Sequence, residues 1–411
     1  MSRIERLIRQ LCPNGVKYKP LWSVTIWDKK FNSVDRKKQP QIISYKYLLA
    51  TDLFALEKEN GTVFLLSTGE QTGWTTEELA GDNVHEGEVV TIPWGKSRAV
   101  ADCIKYYKGK FVTADNRIMT SKDTRILSNK YLYYWIMSMG KIIDTFYRGS
   151  GIKHPDMAKV LDLHIPLPPF EVQQEIVRIL DQFTELTAEL TTEFTARKKQ
   201  YEYYKDIVLN INAPYFSLEE VCDIVDYRGK TPKKVDNGIF LVTAKNIRKG
   251  YIDYEKSQEY ISPIDYPDVM RRGIPQIGDV LITTEAPCGN VAQVDKANIA
   301  LAQRVIKYSP KDANNLNATY LKHILLGTEF QTKLLLAATG GTVKGIKGSK
   351  LHKLTIPIPT IDDQRRIVSI LDRFDALCNN LTGDLSAEIE ARRKQYEYYR
   401  DKLLTFKKLE A

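Results

Sequence analysis

One long segment occurs twice in this chain. Residues 165–209 open I-P-L-P-P-F-E-V-Q-Q-E-I-V-R-I-L-D-Q-F and close A-R-K-K-Q-Y-E-Y-Y-K-D. Residues 356–404 open I-P-I-P-T-I-D-D-Q-R-R-I-V-S-I-L-D-R-F and close A-R-R-K-Q-Y-E-Y-Y-R-D. The copies stand 191 residues apart at Gln173/Gln364, Leu180/Leu371 and Phe183/Phe374, and 195 apart at Gln200/Gln395. The second copy therefore carries four extra residues in its middle.

Both copies read as long helices. Pro168 and Pro359 stop the strand-like I-P-x-P run, and Glu171 and Asp362 follow as first-turn acids. Apolar residues recur in steps of three and four: Ile176, Ile179, Phe183, Leu186, Leu190 and Phe194 in one copy, then Tyr201, Tyr204 and Val208. Ile367, Ile370, Phe374, Leu377, Leu381, Leu385 and Ile389 do the same in the other, followed by Tyr396, Tyr399 and Leu403. That is a coiled-coil seam, and the four extra residues are a stutter of about one turn. Helices of about 40 to 45 residues are roughly 60 to 68 Å long. Neither buries its stripe alone, so each is the other's simplest partner. Taken by itself, such a pair reads as a spacer or dimerisation device.

Around the rods the chain is globular. Short β-like runs fill residues 17–164 (T-V-F-L-L-S at 62–67, E-V-V-T-I at 88–92, K-F-V-T-A at 110–114), followed by a buried-helix pattern at 129–139. Residues 215–355 repeat the plan with runs at 238–243, 279–284 and 302–308 and a helix at 318–326. G-E-V-V at 87–90 matches G-D-V-L at 278–281; Asn116 and Arg117 match Gln303 and Arg304, and Lys153 matches Lys344. The unit is thus a whole cassette present twice, its rods alike and its globular parts drifted. The second rod ends where the first runs on into a domain, and the missing continuation resembles the N-terminus. A short amphipathic helix there (Ile4, Leu7, Ile8 and Leu11 on one side) ends in C-P-N-G. The termini of such an opened cycle are expected to lie together. The chain divides into an N-terminal helix (1–20), a globular domain (21–164), a helical repeat (165–214), a second globular domain (215–355) and a C-terminal helical repeat (356–411).

Composition narrows the class. The 60 Lys+Arg exceed the 51 Asp+Glu, giving a net charge of +9 that suits a polyanion but also a mildly basic soluble protein. Five scattered cysteines without a C-x-x-C pair argue against disulfide or zinc frameworks. The N-terminus has no apolar signal core and no window is long enough to span a bilayer, so a cytoplasmic location is expected.

Enzyme motifs are broken. W-G-K-S (94–97) and R-G-K-T (228–231) lack the first glycine of a phosphate loop. P-P-F (168–170) follows Leu167 rather than the Asn or Asp of an amino-methyltransferase turn. Pro267-Asp268 is followed by Glu285-Ala286-Pro287, without a nuclease lysine. The five histidines form no H-x-x-x-H or H-x-H pair.

With I-P-x-P, Q-x-x-I-V-x-I-L-D-x-F (173–183, 364–374), the terminal K-Q-Y-E-Y-Y-[KR]-D and R-G-K-T-P (228–232), the chain resembles the specificity subunit of a type I restriction–modification enzyme over nearly its whole length. It departs from that pattern around 27–37, where the first domain lacks a G-K-T-P equivalent. The resemblance implies an α+β fold: two mixed α/β target-recognition domains separated by two long helices in an antiparallel coiled coil, as a pseudo-twofold cyclic repeat. Each domain would read half of an asymmetric bipartite site in double-stranded DNA. The rods would set the spacer and dock two methyltransferase (modification) subunits, which restriction subunits join. The chain would have no catalytic centre, metal or cofactor of its own, with S-adenosylmethionine, ATP and magnesium on its partners. A two-domain DNA-binding regulator without enzyme partners and a purely architectural coiled coil are the rival readings.

Base reading needs Arg or Lys for guanine and Asn or Gln for adenine, held on loops by a rigid sheet. In the second domain these are Arg228, Lys230, Thr231, Lys245, Asn246, Gln303 and Arg304, with Lys344 and Lys347 in the small-residue run G-G-T-V-K-G-I-K-G. In the first they are Lys96, Arg98, Asn116, Arg117, Arg148, Lys153 and His154. Each also fits a solvated charge or turn cap, and Arg304 fits a core-anchoring ion pair. Tyr201 and Tyr204 stand on the seam, which favours packing between helices over base stacking.

Overall fold

The computed structural model describes residues 2–67, 72–95, 98–114, 117–150, 152–227, 232–341 and 344–409, with backbone alone over 377–384. Lys96, Asn116, Arg228, Lys230 and Thr231 lie outside the described residues. The chain forms two compact units, Met1–Thr191 with Ala387–Ala411, and Thr192–Ser386.

The two rods are continuous helices, Phe170–Leu209 (40 residues) and Ile361–Leu403 (43 residues). The extra residues of the second copy are absorbed as helix, without a break at the stutter. Each rod gives one part of its length to each unit. In the first unit the ring of Phe183 stacks on Tyr399 at 5.5 Å. In the second, Tyr204 lies 6.4 Å from Phe374 and the Tyr201 hydroxyl donates to Asp375, so rising numbers on one helix meet falling numbers on the other. Burial is concentrated at the rod ends next to the globular domains, where Ile176, Leu180, Ile367 and Leu371 join the main cores. Leu186 is exposed and Leu190 and Phe194 are half-buried. A pair of helices buries only a narrow stripe; deep burial needs the third layer that a domain helix supplies.

That third layer is the helix anticipated in each domain. Asn129–Ser138 is capped by Ser128, and Ala318–Leu326 by Asn317, whose carboxamide accepts from two backbone amides. Each is fastened to its rod by one glutamine with no exposed surface. Gln173 Oε1 accepts from the Ser128 amide at 3.0 Å, while Nε2 donates to the Ile126 and Pro168 carbonyls at 2.8 and 2.9 Å. Gln364 repeats this with the Asn317 amide (2.8 Å) and the Asn315 and Pro359 carbonyls (2.8 and 2.9 Å). Tyr131 and Tyr320 add matching hydroxyl bonds to the carbonyls of Pro166 and Pro357. One turn along, the partners differ. Asp181 accepts from Tyr134 and Lys130, whereas Asp372 accepts from the buried His323, with Lys322 3.8 Å away.

The domain sheets share a plan. In the first unit Thr25–Trp27, Arg117–Ser121, His85–Ile92 and Lys105–Ala114 lie side by side, each pair antiparallel. In the second, Cys222–Asp226, Val305–Pro310, Val280–Thr284 and Cys288–Gln293 have the same order and sense. The drift begins at the fourth strand. Lys105–Ala114 is long enough to pair also, in parallel, with Val63–Leu66 and Tyr47–Leu48, so the first domain has one seven-stranded sheet. In the second domain that strand stops at Gln293 and a new one, Ile299–Leu301, pairs in parallel with Ile239–Val242, giving two four-stranded sheets.

In the first unit the chain ends meet. Val16 bridges Lys408 in parallel, and the Tyr18 hydroxyl donates to the Phe406 carbonyl at 2.9 Å. Gly15 sits at φ +100°, and a Cβ there would stand 2.4 Å from the Lys407 carbonyl oxygen, so glycine is required. The helix Arg3–Leu11, with its Ser2–Glu5 capping box, buries Ile4 and half-buries Leu7 and Ile8. Leu11, expected on the same face, is exposed at the helix end.

All five tryptophans belong to the first unit, so indole fluorescence reports on that unit. Gln173→Leu removes the partner of one amide and two carbonyls. It is expected to lower the stability read by urea unfolding by about 2–4 kcal/mol. A change below about 1 kcal/mol would mean that solvent takes over the amide's role.

Candidate nucleic-acid interface

The shared strand order puts one arginine at the same sheet end in both units. Ile92 stands opposite Arg117, and just beyond it the chain turns outward through Pro93 and Trp94. Thr283 stands opposite Val305, so Arg304 lies one position further, and its carbonyl accepts from the Thr284 amide at 2.9 Å. A third segment closes over each site. In the first unit it is the ribbon Tyr147–Arg148 with His154–Pro155, held by the Tyr147 hydroxyl to the Pro93 carbonyl. In the second it is the stretch around Gly345, which bridges Glu285 while the Ile346 amide donates to Thr284 at 3.0 Å. Gly149 and Gly340 turn these segments at φ +139° and +116°.

The companions of the two arginines differ in kind. Arg117 is half-buried, its guanidinium 5.6 Å from the Trp94 ring and 5.8 Å from Phe31. The His154 ring packs 4.1 Å from Trp94, and His154 stands opposite the exposed Arg148. Among the described residues, Nε and Nη1 of Arg117 are buried without a hydrogen-bond partner, as is Oδ1 of Asp28. Burial pushes the Asp28 carboxyl up to about 6, against the opposing pull of Lys29 and Arg117. Arg304 instead has 54% of its side chain exposed, and its Nε lies 3.4 Å from the Glu285 carboxylate, itself 44% exposed. That pair is at the surface and anchors no core.

The other predicted residues separate into two groups. Lys153, Lys245, Lys344 and Lys347 are exposed, with Lys153 beside His154 and Lys344 beside Gly345. Gln303 is half-buried next to Arg304, and Arg98 is half-buried near Lys105. Burial, with Arg98 adding to it, lowers that lysine to about 8. Asn246 is a correction. It has no exposed surface; its Oδ1 accepts from the amide and hydroxyl of Thr243, and its Nδ2 donates to the carbonyls of Asp253 and Ser257. Every polar atom of that side chain is consumed in staples of the 243–257 turn. Trp94, Phe31, Asp28 and Glu285 were not anticipated as site residues. Their signal is spatial, since each lies far in sequence from the arginine it meets.

What such a site can do is clear from its chemistry. An arginine at the tip of a rigid sheet, flanked by exposed lysines, matches a guanine edge inside a phosphate frame. Comparison with known proteins decides the family. The family model for the type I restriction modification DNA specificity domain matches residues 45–197 and 211–391. The chain belongs to the type I restriction–modification specificity subunits. It is 33% identical over 309 residues to a type I restriction enzyme specificity subunit of Escherichia coli, covering 72% of this chain and 75% of that one. It is 32% identical to a putative type I restriction enzyme specificity subunit of Haemophilus influenzae, covering 78% and 84%. The fold matches the crystal structure of the type I S subunit from M. genitalium with a TM-score of 0.52 at 14% identity, over 95% of this chain and 96% of that one. A second structure, from work on complex assembly of the type I R-M system, matches with a TM-score of 0.56 at 18% identity, over 95% and 98%. As a specificity subunit, the chain supplies sequence-specific DNA recognition to a restriction–modification enzyme. Among the described residues no helix is long and apolar enough to cross a membrane.

The buried Asp28 carboxyl has a pH signature. Its folded value near 6 exceeds the ordinary one, so its contribution to stability is complete below about pH 4 and is lost as pH rises through 6. Asp28→Asn is expected to stabilise the first unit by about 2–3 kcal/mol at pH 7, with the gain fading toward pH 4. Urea unfolding followed by tryptophan fluorescence at both pH values checks this, and equal gains at both would assign the effect to packing.

Proposed function

We propose that this specificity subunit reads both halves of an asymmetric bipartite site in duplex DNA and delegates all chemistry to other polypeptides. The observation that carries the reading is internal. One scaffold places one arginine twice, once between aromatic rings (Arg117) and once beside a carboxylate (Arg304). Identical readers would need identical companions; different companions suit two different half-sites. Arg98, Arg117, Arg148, Lys153 and His154 serve the first half-site. Lys245, Gln303, Arg304, Lys344 and Lys347 serve the second, with the exposed lysines on phosphates.

The rods act as the spacer gauge. At about 1.5 Å per residue, helices of 40 and 43 residues are roughly 60 and 65 Å long, more than one 34 Å turn of B-DNA. They also offer one matched patch each. Tyr203 and Tyr398 hold the same place in K-Q-Y-E-Y-Y and are 64% and 62% exposed. Two equal patches suit two copies of one partner, the methyltransferase subunit, which restriction subunits then join. S-adenosylmethionine, ATP and magnesium belong to those partners in this reading, which places the complex in the cytoplasm. The specificity subunit itself holds no cofactor, metal or catalytic group.

Two experiments test this. Deleting 382–385, the length of the stutter, is expected to shorten the spacer of the methylated motif by roughly two base pairs at 3.4 Å each, with both half-sites kept. Methylome sequencing of cells carrying the deletion reads it out, and an unchanged spacer with full methylation would defeat the gauge. Tyr203→Arg and Tyr398→Arg are each expected to remove one methyltransferase subunit from the purified complex, and together both, by mass measurement. Retention of two subunits by the double variant would move the docking surface elsewhere.

A further inference from the structure

We propose that Glu285 is a specificity-determining residue of the second domain: it aims Arg304 at one guanine and accepts a hydrogen bond from the exocyclic amine of an adjacent base. The inference rests on the DNA-reading function above and adds a residue to it. Glu285 follows directly on the strand Val280–Thr284, at the sheet end where Arg304 stands. Its backbone is fixed from the far side by the bridge to Gly345, so the carboxylate is held by the fold and not by the ion pair.

The backbone around the pair is strained without an evident return in stability. Ala286 and Arg304 both adopt left-handed conformations, at φ +48° and +70°, where side chains other than glycine are disfavoured. Between them the pair makes one 3.4 Å contact, with both side chains about half exposed. A solvent-exposed ion pair of that kind stabilises a fold very little. The strain is better matched to placement, because a left-handed Arg304 and a left-handed Ala286 next to Glu285 shape the two strand ends that bring the arginine and the carboxylate together at the tip.

The sign of the charge says what the placement serves. Glu285 bridges Gly345, the residue after the exposed Lys344, on a rim whose other predicted contacts are basic or neutral. A carboxylate facing a phosphate backbone is repelled, so one kept on such a rim needs a donor, and duplex DNA offers donors on base edges. In the major groove these are the amines of cytosine N4 and adenine N6. Arg304 bound to guanine O6 and N7 has no need of a full-time carboxylate partner, which frees Glu285 to accept from the neighbouring amine. The first domain provides the contrast: at the equivalent tip rings flank Arg117 and the nearby carboxyl, that of Asp28, is buried, whereas Glu285 stands exposed at the rim.

The test uses the full chain expressed with its methyltransferase subunits, read by sequencing methylated bases across a genome. A bipartite motif from the parent protein upholds the DNA-reading function; without one that function fails, whatever Glu285 does. Arg304→Ala identifies the half-site by loss of guanine preference at one position. Glu285→Gln keeps the shape and removes the charge. It is expected to relax discrimination about tenfold at that position or the one beside it, leaving the other half-site intact. Glu285→Ala is expected to relax the same positions. A Glu285→Gln motif identical to the parent's, or a uniform drop in methylation without any broadening, overturns the inference.

Discussion

The fold depends on the need of a lone amphipathic helix for cover, and on the buried glutamine that fixes where the cover sits. A rod of forty-odd residues has an apolar stripe that its twin covers only narrowly. Gln173 and Gln364 bring a domain helix onto that stripe by joining three backbone groups that would otherwise be orphaned at the rod's start. An amide is suited to this because it offers an acceptor and two donors in one plane. Buried and fully satisfied, it specifies one docking geometry, whereas an apolar residue would permit several. The I-P-x-P run before each rod contributes in the same spirit, its Pro166 and Pro357 carbonyls receiving the Tyr131 and Tyr320 hydroxyls.

Around that fixed joint the two copies are free to diverge, and they diverge in a graded way. The joint keeps its glutamine, its tyrosine and its prolines, and changes residue type only where the backbone makes the bond, as at Ser128 and Asn317 or Ile126 and Asn315. The next layer keeps a role and changes the chemistry: Asp181 meets tyrosine and lysine, Asp372 meets histidine and lysine. Sheet order survives in four strands and then departs, through a strand that is continuous in one domain and interrupted in the other. At the tips the arginine, a turning glycine and one lysine are retained, and the arginine's companions change. Buried polar joints tolerate little because each lost partner costs a desolvated group. Surface tips are bounded by solvent, and change there is cheap.

This gradient also explains what the sequence discloses. The rods are legible because a helical period and a duplication reinforce each other, and Asn129–Ser138 and Ala318–Leu326 are legible because whole helical turns are apolar. The central strands follow from alternation. The tips are less so. Arg117 and Arg304 could be chosen as arginines after a strand turn, yet nothing local pairs Arg117 with Phe31 or Trp94. Glu285 read as a failed nuclease motif although its partner is nineteen residues on. Asn246 shows the opposite error: A-K-N-I has the letters of a base reader, but an asparagine in a tight turn finds backbone partners first. The seam was also legible in register but not in depth, since burial depends on the layer a domain adds from elsewhere in the chain.

Electrostatics gives the tips their logic. Binding by phosphate neutralisation alone would favour any duplex equally. Discrimination improves when a tip carries groups that a wrong sequence leaves unpaired. The half-buried guanidinium of Arg117, with two nitrogens and a nearby Asp28 oxygen unpartnered among the described residues, is such a group. The carboxylate of Glu285 is another, unfavourable beside phosphate unless a base amine meets it. In the proposed reading both reduce what the protein gains from DNA in general and preserve what it gains from one sequence. A subunit whose task is selection for other chains' chemistry gains more from that difference than from tighter binding overall.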